Sequence, residues 1–387
     1  MTIYLDHQAT TPVNQDVIDA MLPLWNENFG NPHSSEHIIG WTANSHIENS
    51  KALIANVLKA EADEIFFYSG ATEANNHSIF ALSKFAHKSP DRKRVIISEI
   101  EHKCVLEASQ YWADQFQLDL CLLRVDTEGF VDLDHLTELL KVPTFYCSIM
   151  YVNNEIGTIQ HIDKISNLLR GEGVLFHSDC AQALKAVALD TISETFDIAT
   201  FSGHKVGGPQ GIGCSYINSE LHNHLEAQIL GGGQQQSMRS GTLALPLVVG
   251  LGKAFNNAND EAVNLKNRTT LLNKSEFFWN ELKRRIPEIE LNGPDLKMRH
   301  PGNLNIFFPN VLASDLIFSL QPHVCASSGS ACSSGSIEPS YVLLALGFSD
   351  KRASSSIRFS VGTASSAEDL REAADLIDKK YKQFLNT

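Results

Sequence analysis

The chain has 387 residues, 43% of them hydrophobic and 20% charged, a balance that excludes disorder and fibrous repeats and leaves room for two or three domains. Asp plus Glu number 45 against 31 Lys plus Arg, and the resulting net charge of −14 opposes a phosphate backbone, so direct nucleic-acid binding by the whole surface is excluded. Cysteines at 104, 121, 147, 180, 214, 325 and 332 form an odd set without a CxxC pair, which fits neither a disulfide scaffold nor a structural zinc site, and no metal is expected.

The N-terminus, MTIYLDHQATTP, carries Asp6 and Pro12 where a secretory signal needs an unbroken apolar stretch. The longest apolar run, Leu243 to Leu251, contains Pro246 and falls far short of the ~20 residues that cross a bilayer. A cytoplasmic location without membrane contact is the expectation. A helix is predicted over Ser45–Leu58, then in alternation strand Glu64–Tyr68, helix Thr72–Ala86, strand Arg94–Ser98, helix Lys103–Phe116 and strand Asp119–Arg124. Helix Leu133–Lys141, strand Thr144–Met150, helix Ile162–Gly171 and strands Val174–Ser178 and Ile198–Ser202 continue the pattern. Such alternation predicts an α/β chain with a parallel sheet wrapped by helices. The apolar run Gly213–Ile217 and the loop Gly231-Gly232-Gly233 follow. From about Ala254 the texture changes to a long polar helix, Asp260–Arg285, and then to mixed elements, so a domain boundary is placed there. Its basic run Lys283-Arg284-Arg285 reads as a solvated face. The Ser/Gly segment from Ser327 to Ser336 reads as a mobile loop, because such residues bury little and lose much chain entropy on ordering.

Several residues stand where chemistry is possible. Ser69-Gly70-Ala71-Thr72-Glu73 follows a strand and opens a helix, which aims N–H groups and a hydroxyl at one point, an anion cradle. A plain helix cap is the commoner use of such residues. Asp179 ends a strand, with Gln182 three residues on, where ligands of open α/β sheets bind; a capping Asp is again the commoner use. Lys205, in Ser202-Gly203-His204-Lys205, follows the next strand between glycines that permit close approach, and a desolvated lysine there can form a Schiff base. Asp179 and Lys205 are one strand–helix–strand unit apart and so end neighbouring strands, a placement that suits pyridoxal phosphate. His102 also sits just past a strand, where a ring can stack and move protons. Cys332, inside the Ser/Gly segment, is in the wrong place for core packing and the right place for a travelling thiol. Cys325 and the other five cysteines read as packing residues, Cys104 among them on the side of its helix that faces the sheet.

With these residues in hand, the sequence resembles a cysteine desulfurase of the long-loop, iron–sulfur-cluster type, in the class V aminotransferase group of fold-type I pyridoxal-phosphate enzymes. The resemblance spans nearly the whole chain, from Tyr4-Leu5-Asp6 and Ala9-Thr10-Thr11-Pro12 to Ser356-Ile357-Arg358-Phe359-Ser360. Between them lie Phe29-Gly30-Asn31-Pro32, Glu101-His102-Lys103, Val152-Asn153-Asn154-Glu155-Ile156-Gly157, Met238-Arg239-Ser240-Gly241-Thr242 and Glu338-Pro339-Ser340-Tyr341, in the family's order.

The resemblance implies a large cofactor domain over 14–255, built on a mainly parallel seven-stranded sheet between helices. It implies a smaller α+β domain from 1–13 and 256–387 that carries the Cys332 loop. Lys205 would hold the cofactor as a Schiff base, Asp179 would pair with the pyridinium nitrogen, Gln182 would reach the ring's 3-hydroxyl, and His102 would stack on the ring as acid and base. Ala71, Thr72, Ser202 and His204 would hold the phosphate, with Thr242 reaching across from the second subunit of a homodimer. Arg358, with Asn154 and Asn31, would grip the carboxylate of L-cysteine, and Asn154 would also border the cofactor. Cys332 would take the sulfur as a persulfide, release L-alanine, and pass the sulfur to an acceptor protein for iron–sulfur cluster assembly, tRNA thiolation or DNA phosphorothioation. An aminotransferase, a selenocysteine lyase or a non-catalytic sulfur-relay scaffold are the alternatives, against which the Cys332 loop and the full set of site residues stand. The chain departs from the commoner pattern at Gly207, Gln210, Gln234-Gln235-Gln236-Ser237, Cys180 and Thr363, none of them a catalytic group.

Overall fold

The strand segments IFFY and TFYCS are apolar at consecutive rather than alternate positions, the pattern of strands covered on both faces. The computed structural model describes residues 2–328 and 338–386. Its strands are β1 (Ile3–Tyr4), β2 (Ile65–Tyr68), β3 (Arg94–Ser98), β4 (Asp119–Leu123), β5 (Thr144–Ser148), β6 (Leu175–Asp179), β7 (Ile198–Ser202), β8 (Gly213–Ile217), β9 (Glu290–Leu291), β10 (Asn303–Phe307), β11 (Val324–Cys325) and β12 (Ser356–Ser360). Strands β2 to β8 form one seven-stranded sheet in the order β2-β8-β7-β6-β5-β3-β4, in which β8 alone runs against its neighbours.

Successive side chains of a strand point to opposite faces, and the core divides accordingly. Phe67, Ile96 and Cys147 pack with the helices Ile38–Leu58 and Leu245–Asn256. Phe66, Val95, Ile97 and Tyr146 pack on the other face with the helices Ala71–Lys88 and Lys103–Phe116. Each fully buried Phe contributes roughly 1.5–3 kcal/mol relative to exposure. A separate cluster joins Ile3 and Leu5 to Phe278, Ile306, Phe359 and Ile377, around the antiparallel order β12-β10-β9 and the parallel pair β1 and β11. The helices Glu261–Arg285 and Ala367–Leu385 supply its outer side. The N-terminal residues therefore fold with the C-terminal third, and the bridge Asp6–Ser360 lays them beside β12.

Some element ends differ from the pattern of apolar residues. The first long helix starts at Ile38 rather than Ser45, because the His37 ring accepts the Gly40 N–H at 3.1 Å as its cap, and His is not a residue from which caps are read. The long polar helix starts one residue late because Asp260 caps it, accepting from Ala262 and Val263. Among the described residues no helix is long and apolar enough to cross a membrane.

Candidate active site

Parallel strands deliver their carboxyl ends to one rim of the sheet, where a crevice opens to ligands. A cavity of about 540 Å³ lies there, walled by the segments that follow β2, β3, β6 and β7 together with Asn154, Ser327 and Arg358. This is a usual size for a small-molecule site, roughly 300–1,000 Å³.

Asp179, last residue of β6, is buried, and both of its oxygens accept hydrogen bonds. Oδ1 takes the Ala181 N–H at 2.8 Å and Oδ2 takes the Asn75 amide at 2.8 Å. Asn75 is fixed in turn, its Oδ1 accepting from Thr200 at 2.6 Å. The carboxylate is thus oriented from two sides before any ligand meets it.

His102 caps the helix Lys103–Phe116, its Nδ1 accepting the Cys104 N–H at 3.2 Å and standing 3.1 Å from the Cys104 thiol. With Nδ1 an acceptor, the neutral ring carries its proton on Nε2. Burial holds its pKa below the usual histidine value against the opposing pull of Asp179, while Lys205 and Lys103 add to the lowering. A neutral ring can stack on an aromatic ligand without bringing a second charge beside Asp179. Burial, reinforced by Asp179, pushes the Cys104 thiol up to about 12, so it faces the cavity as S–H.

The helix Ala71–Lys88 presents its N-terminus to the same cavity. Gly70 caps it without any side-chain bond, so its first N–H groups are left for a ligand. A Cβ at Gly213 would stand 2.7 Å from the Gly70 carbonyl carbon and 2.9 Å from the Ala71 nitrogen, so only glycine lets β8 pass behind this cradle. Glu73 would repel an anion there, but Arg239 pairs with it at 2.8 Å and Ser69 N–H donates to it at 2.7 Å.

The segment carrying Lys205 is strapped by the N-terminal motif. Thr11 Oγ1 donates to the His204 carbonyl at 2.9 Å and accepts the Gly207 N–H at 3.0 Å. On the opposite wall, Arg358 from β12 donates to Asp6 at 2.8 Å and to the Asn154 carbonyl at 2.9 Å, leaving its buried Nε without a partner among the described residues. The buried Oδ1 of Asn154 is also unpartnered.

Of the residues expected from the sequence, Ala71, Thr72, His102, Asn154, Asp179, Ser202, His204, Lys205 and Arg358 line this one cavity. Gln182 does not: its amide donates to the Gln8 carbonyl at 3.0 Å and it borders a neighbouring cavity. Asn31 and Thr242 are exposed away from the cavity wall, Asn31 accepting from the His33 N–H. Cys332 lies outside the described residues. Of the five cysteines expected in the core, Cys147, Cys180 and Cys214 are fully buried, and Cys121 is half-buried on the edge strand β4. Cys104 is a correction: it lines the cavity, because its place two residues after the capping His102 turns its thiol toward that ring. Asn75, Asp6 and Arg239 were not singled out for a role. Asp6 and Arg239 stand in the motifs that carry the resemblance, and Asn75 lies three residues after Thr72, on the same face of its helix.

The Aminotransferase class-V family signature matches residues 3–372 of the chain. Over 384 residues the chain is 39% identical to the "Cysteine desulfurase IscS" of Rickettsia rickettsii (strain Iowa), covering 99% of this chain and 92% of that protein. Among solved structures, a "NifS-like protein" superposes with a TM-score of 0.89 at 30% identity over 100% of both chains. "SspA in complex with cysteine" superposes with a TM-score of 0.81 at 32% identity, over 94% of this chain and 100% of that one.

Proposed function

The chain belongs to the cysteine desulfurases of the class-V aminotransferase family, and we propose that the cavity at the ends of β2, β3, β6 and β7 is where it takes sulfur from L-cysteine, leaving L-alanine. The observation that carries this is the convergence of Asp179, Lys205, His102 and Arg358 on one cavity beside an uncapped helix N-terminus.

The family depends on pyridoxal phosphate, and the residues present fit that group. The open N-terminus before Ala71 and Thr72, with Ser202 and His204 beside it, suits a phosphate. The twice-oriented Asp179 suits a pyridinium nitrogen, the ring of His102 suits stacking, and the buried, unpartnered Asn154 Oδ1 awaits a donor. Bound there, the cofactor supplies an aldehyde that captures amines and a ring that takes up the electron pair left at Cα.

The protein's own groups do the rest. Arg358 exchanges part of its contact with Asp6 and Asn154 for the substrate carboxylate, its guanidinium already held in place. Lys205 Nζ receives the Cα proton, and His102 Nε2 serves proton transfer at the same face. The Cys332 thiolate attacks the substrate sulfur: the S–S bond forms, the Cβ–S bond breaks, and the carbon keeps the electron pair and takes a proton to become alanine. The acceptor of that persulfide sulfur is a protein with a basic face, because a chain of net charge −14 repels nucleic acid.

The working unit is a homodimer. The exposure of Thr242 away from the cavity supports a second subunit that brings it to the phosphate. So does the exposed apolar group Leu22, Trp25, Phe29, Ile38 and Trp41, more than a monomer's surface ordinarily shows in one stretch.

Purified protein given L-cysteine and a thiol reductant is expected to yield alanine and sulfide in equal amounts. Cys332→Ala abolishes both, and Lys205→Ala loses the visible absorbance of the bound cofactor. Undiminished sulfide from Cys332→Ala, or unchanged absorbance in Lys205→Ala, overturns the assignment.

A further inference from the structure

Beside the cavity just described, and sharing Gln8, Ala181 and Lys205 with it as walls, lies a second opening of about 180 Å³. It adjoins a third of about 240 Å³ that runs toward the helix Glu261–Arg285. The two share Asn14, Lys185, Val206, Leu271 and Thr363 as walls, so Lys185 stands at their junction. Either is more than ten times the ~10–15 Å³ that a single water needs.

The chemistry of these walls is one-sided. Neither lining contains a carboxylate among the described residues, although the chain as a whole is strongly acidic. Lys185, largely buried in the segment between β6 and β7, makes no hydrogen bond or ion pair among the described residues. Arg268 pairs with Glu261 through one nitrogen, while its buried Nη1 has no partner. Gln8 is 3% exposed, and its amide Nε2 is likewise buried and unpartnered, its Oε1 being taken by Asn303. Buried donors without acceptors are costly, about 1–3 kcal/mol each and more for a cation. Two such buried donors, Gln8 Nε2 and Arg268 Nη1, and between them the unpaired ammonium of Lys185, border these adjoining acid-free cavities, so the missing partner is an acceptor that enters from outside.

We infer that these paired cavities form a second binding site for a small multivalent oxyanion, held by Lys185, Arg268 and the Gln8 amide. The ligand carries phosphate or carboxylate groups, since both present the oxygen acceptors these donors require. His7 and His300 also face the site; burial draws their pKa values down to about 4 and about 3, so they remain neutral and the positive charge comes from Lys185 and Arg268, with Lys205 on the shared wall. The site does not depend on the reading given to the larger cavity.

The test uses the cofactor-saturated full-length protein, in which the cradle at Ala71 and Thr72 is already filled. Inorganic phosphate, pyrophosphate and citrate are titrated separately by isothermal calorimetry. At least one is expected to bind with a Kd below about 1 mM, and Lys185→Met and Arg268→Gln are each expected to weaken it by about tenfold or more. Tighter binding of the phosphates assigns a phosphoryl ligand, and tighter binding of citrate a polycarboxylate. Absence of binding at that strength, parental affinity in both variants, or loss of binding only in Thr72→Val overturns the proposal. The two variants lie on different elements, and Arg268 is partly exposed, so a folding failure in Lys185→Met leaves the second measurement in force.

Discussion

Asn75 donates its amide to Asp179 Oδ2 at 2.8 Å while its own carbonyl oxygen accepts from Thr200 at 2.6 Å. One buried side chain thus fixes the carboxylate on which the proposed cofactor ring depends, from a helix that also begins the phosphate cradle. Removing a hydrogen bond to a charged group costs about 1.5–3 kcal/mol. Asn75→Ala is therefore expected to lower kcat/KM for cysteine by about ten- to a hundredfold. Its bound cofactor is also expected to show a shifted visible absorbance, because the carboxylate beneath the ring is no longer held from this side. A variant matching the parent in both readouts would show that Asp179 needs no such support.

Arg358 shares its guanidinium between Asp6 and the Asn154 carbonyl and keeps a buried Nε in reserve. A lysine offers a point charge in place of this planar fork. Arg358→Lys is expected to raise KM for cysteine about tenfold or more while kcat changes less. Steady-state kinetics over a wide cysteine range separates the two, and an unchanged KM would remove Arg358 from substrate binding.

Cys104 sits 3.1 Å from the His102 ring, and burial lifts its thiol to about 12. At pH 8 its thiolate fraction is then roughly one part in ten thousand. Mass spectrometry after iodoacetamide at pH 8 is expected to find Cys104 unmodified in the folded protein and alkylated after denaturation. Rapid labelling of the native protein at this position would contradict the burial described.

Burial lowers the pKa of Lys185 from its usual 10.5 to about 8. The unfolded chain therefore holds this proton more tightly than the folded one, and stability rises as pH climbs from about 8 to about 10.5. At pH 7, in buffer without multivalent anions, Lys185→Met is expected to melt higher than the parent, by an amount equivalent to about 3 kcal/mol. The difference shrinks through that pH window as the parent lysine loses its proton. Thermal melts at pH 7, 9 and 10.5 check both sign and slope.

The parallel strands were legible because strands buried on both faces must be continuously apolar, as IFFY is, and because helices of the right length separate them, while the count of seven in one sheet was implied by the resemblance. Lys205 and Asp179 were legible for the same reason, since parallel strands send whatever follows them to a common rim. The start of the helix at Ile38 was not, because its cap is a histidine ring whose role depends on the fold of His37 itself. Cys104 read as packing because one-dimensional spacing does not say which side of a helix meets a cavity. The acid-free pair of cavities was invisible for a deeper reason. Gln8, Lys185 and Arg268 lie far apart in the chain, and only tertiary packing brings their donors around one space. By itself, the order of residues along the chain determined the layers, the rim and the family's motifs, because these follow from local periodicity and turn chemistry. Tertiary structure alone decided how each group is oriented, which donors are left without partners, and that Gln182 faces the neighbouring cavity, because burial and hydrogen-bond geometry exist only between segments.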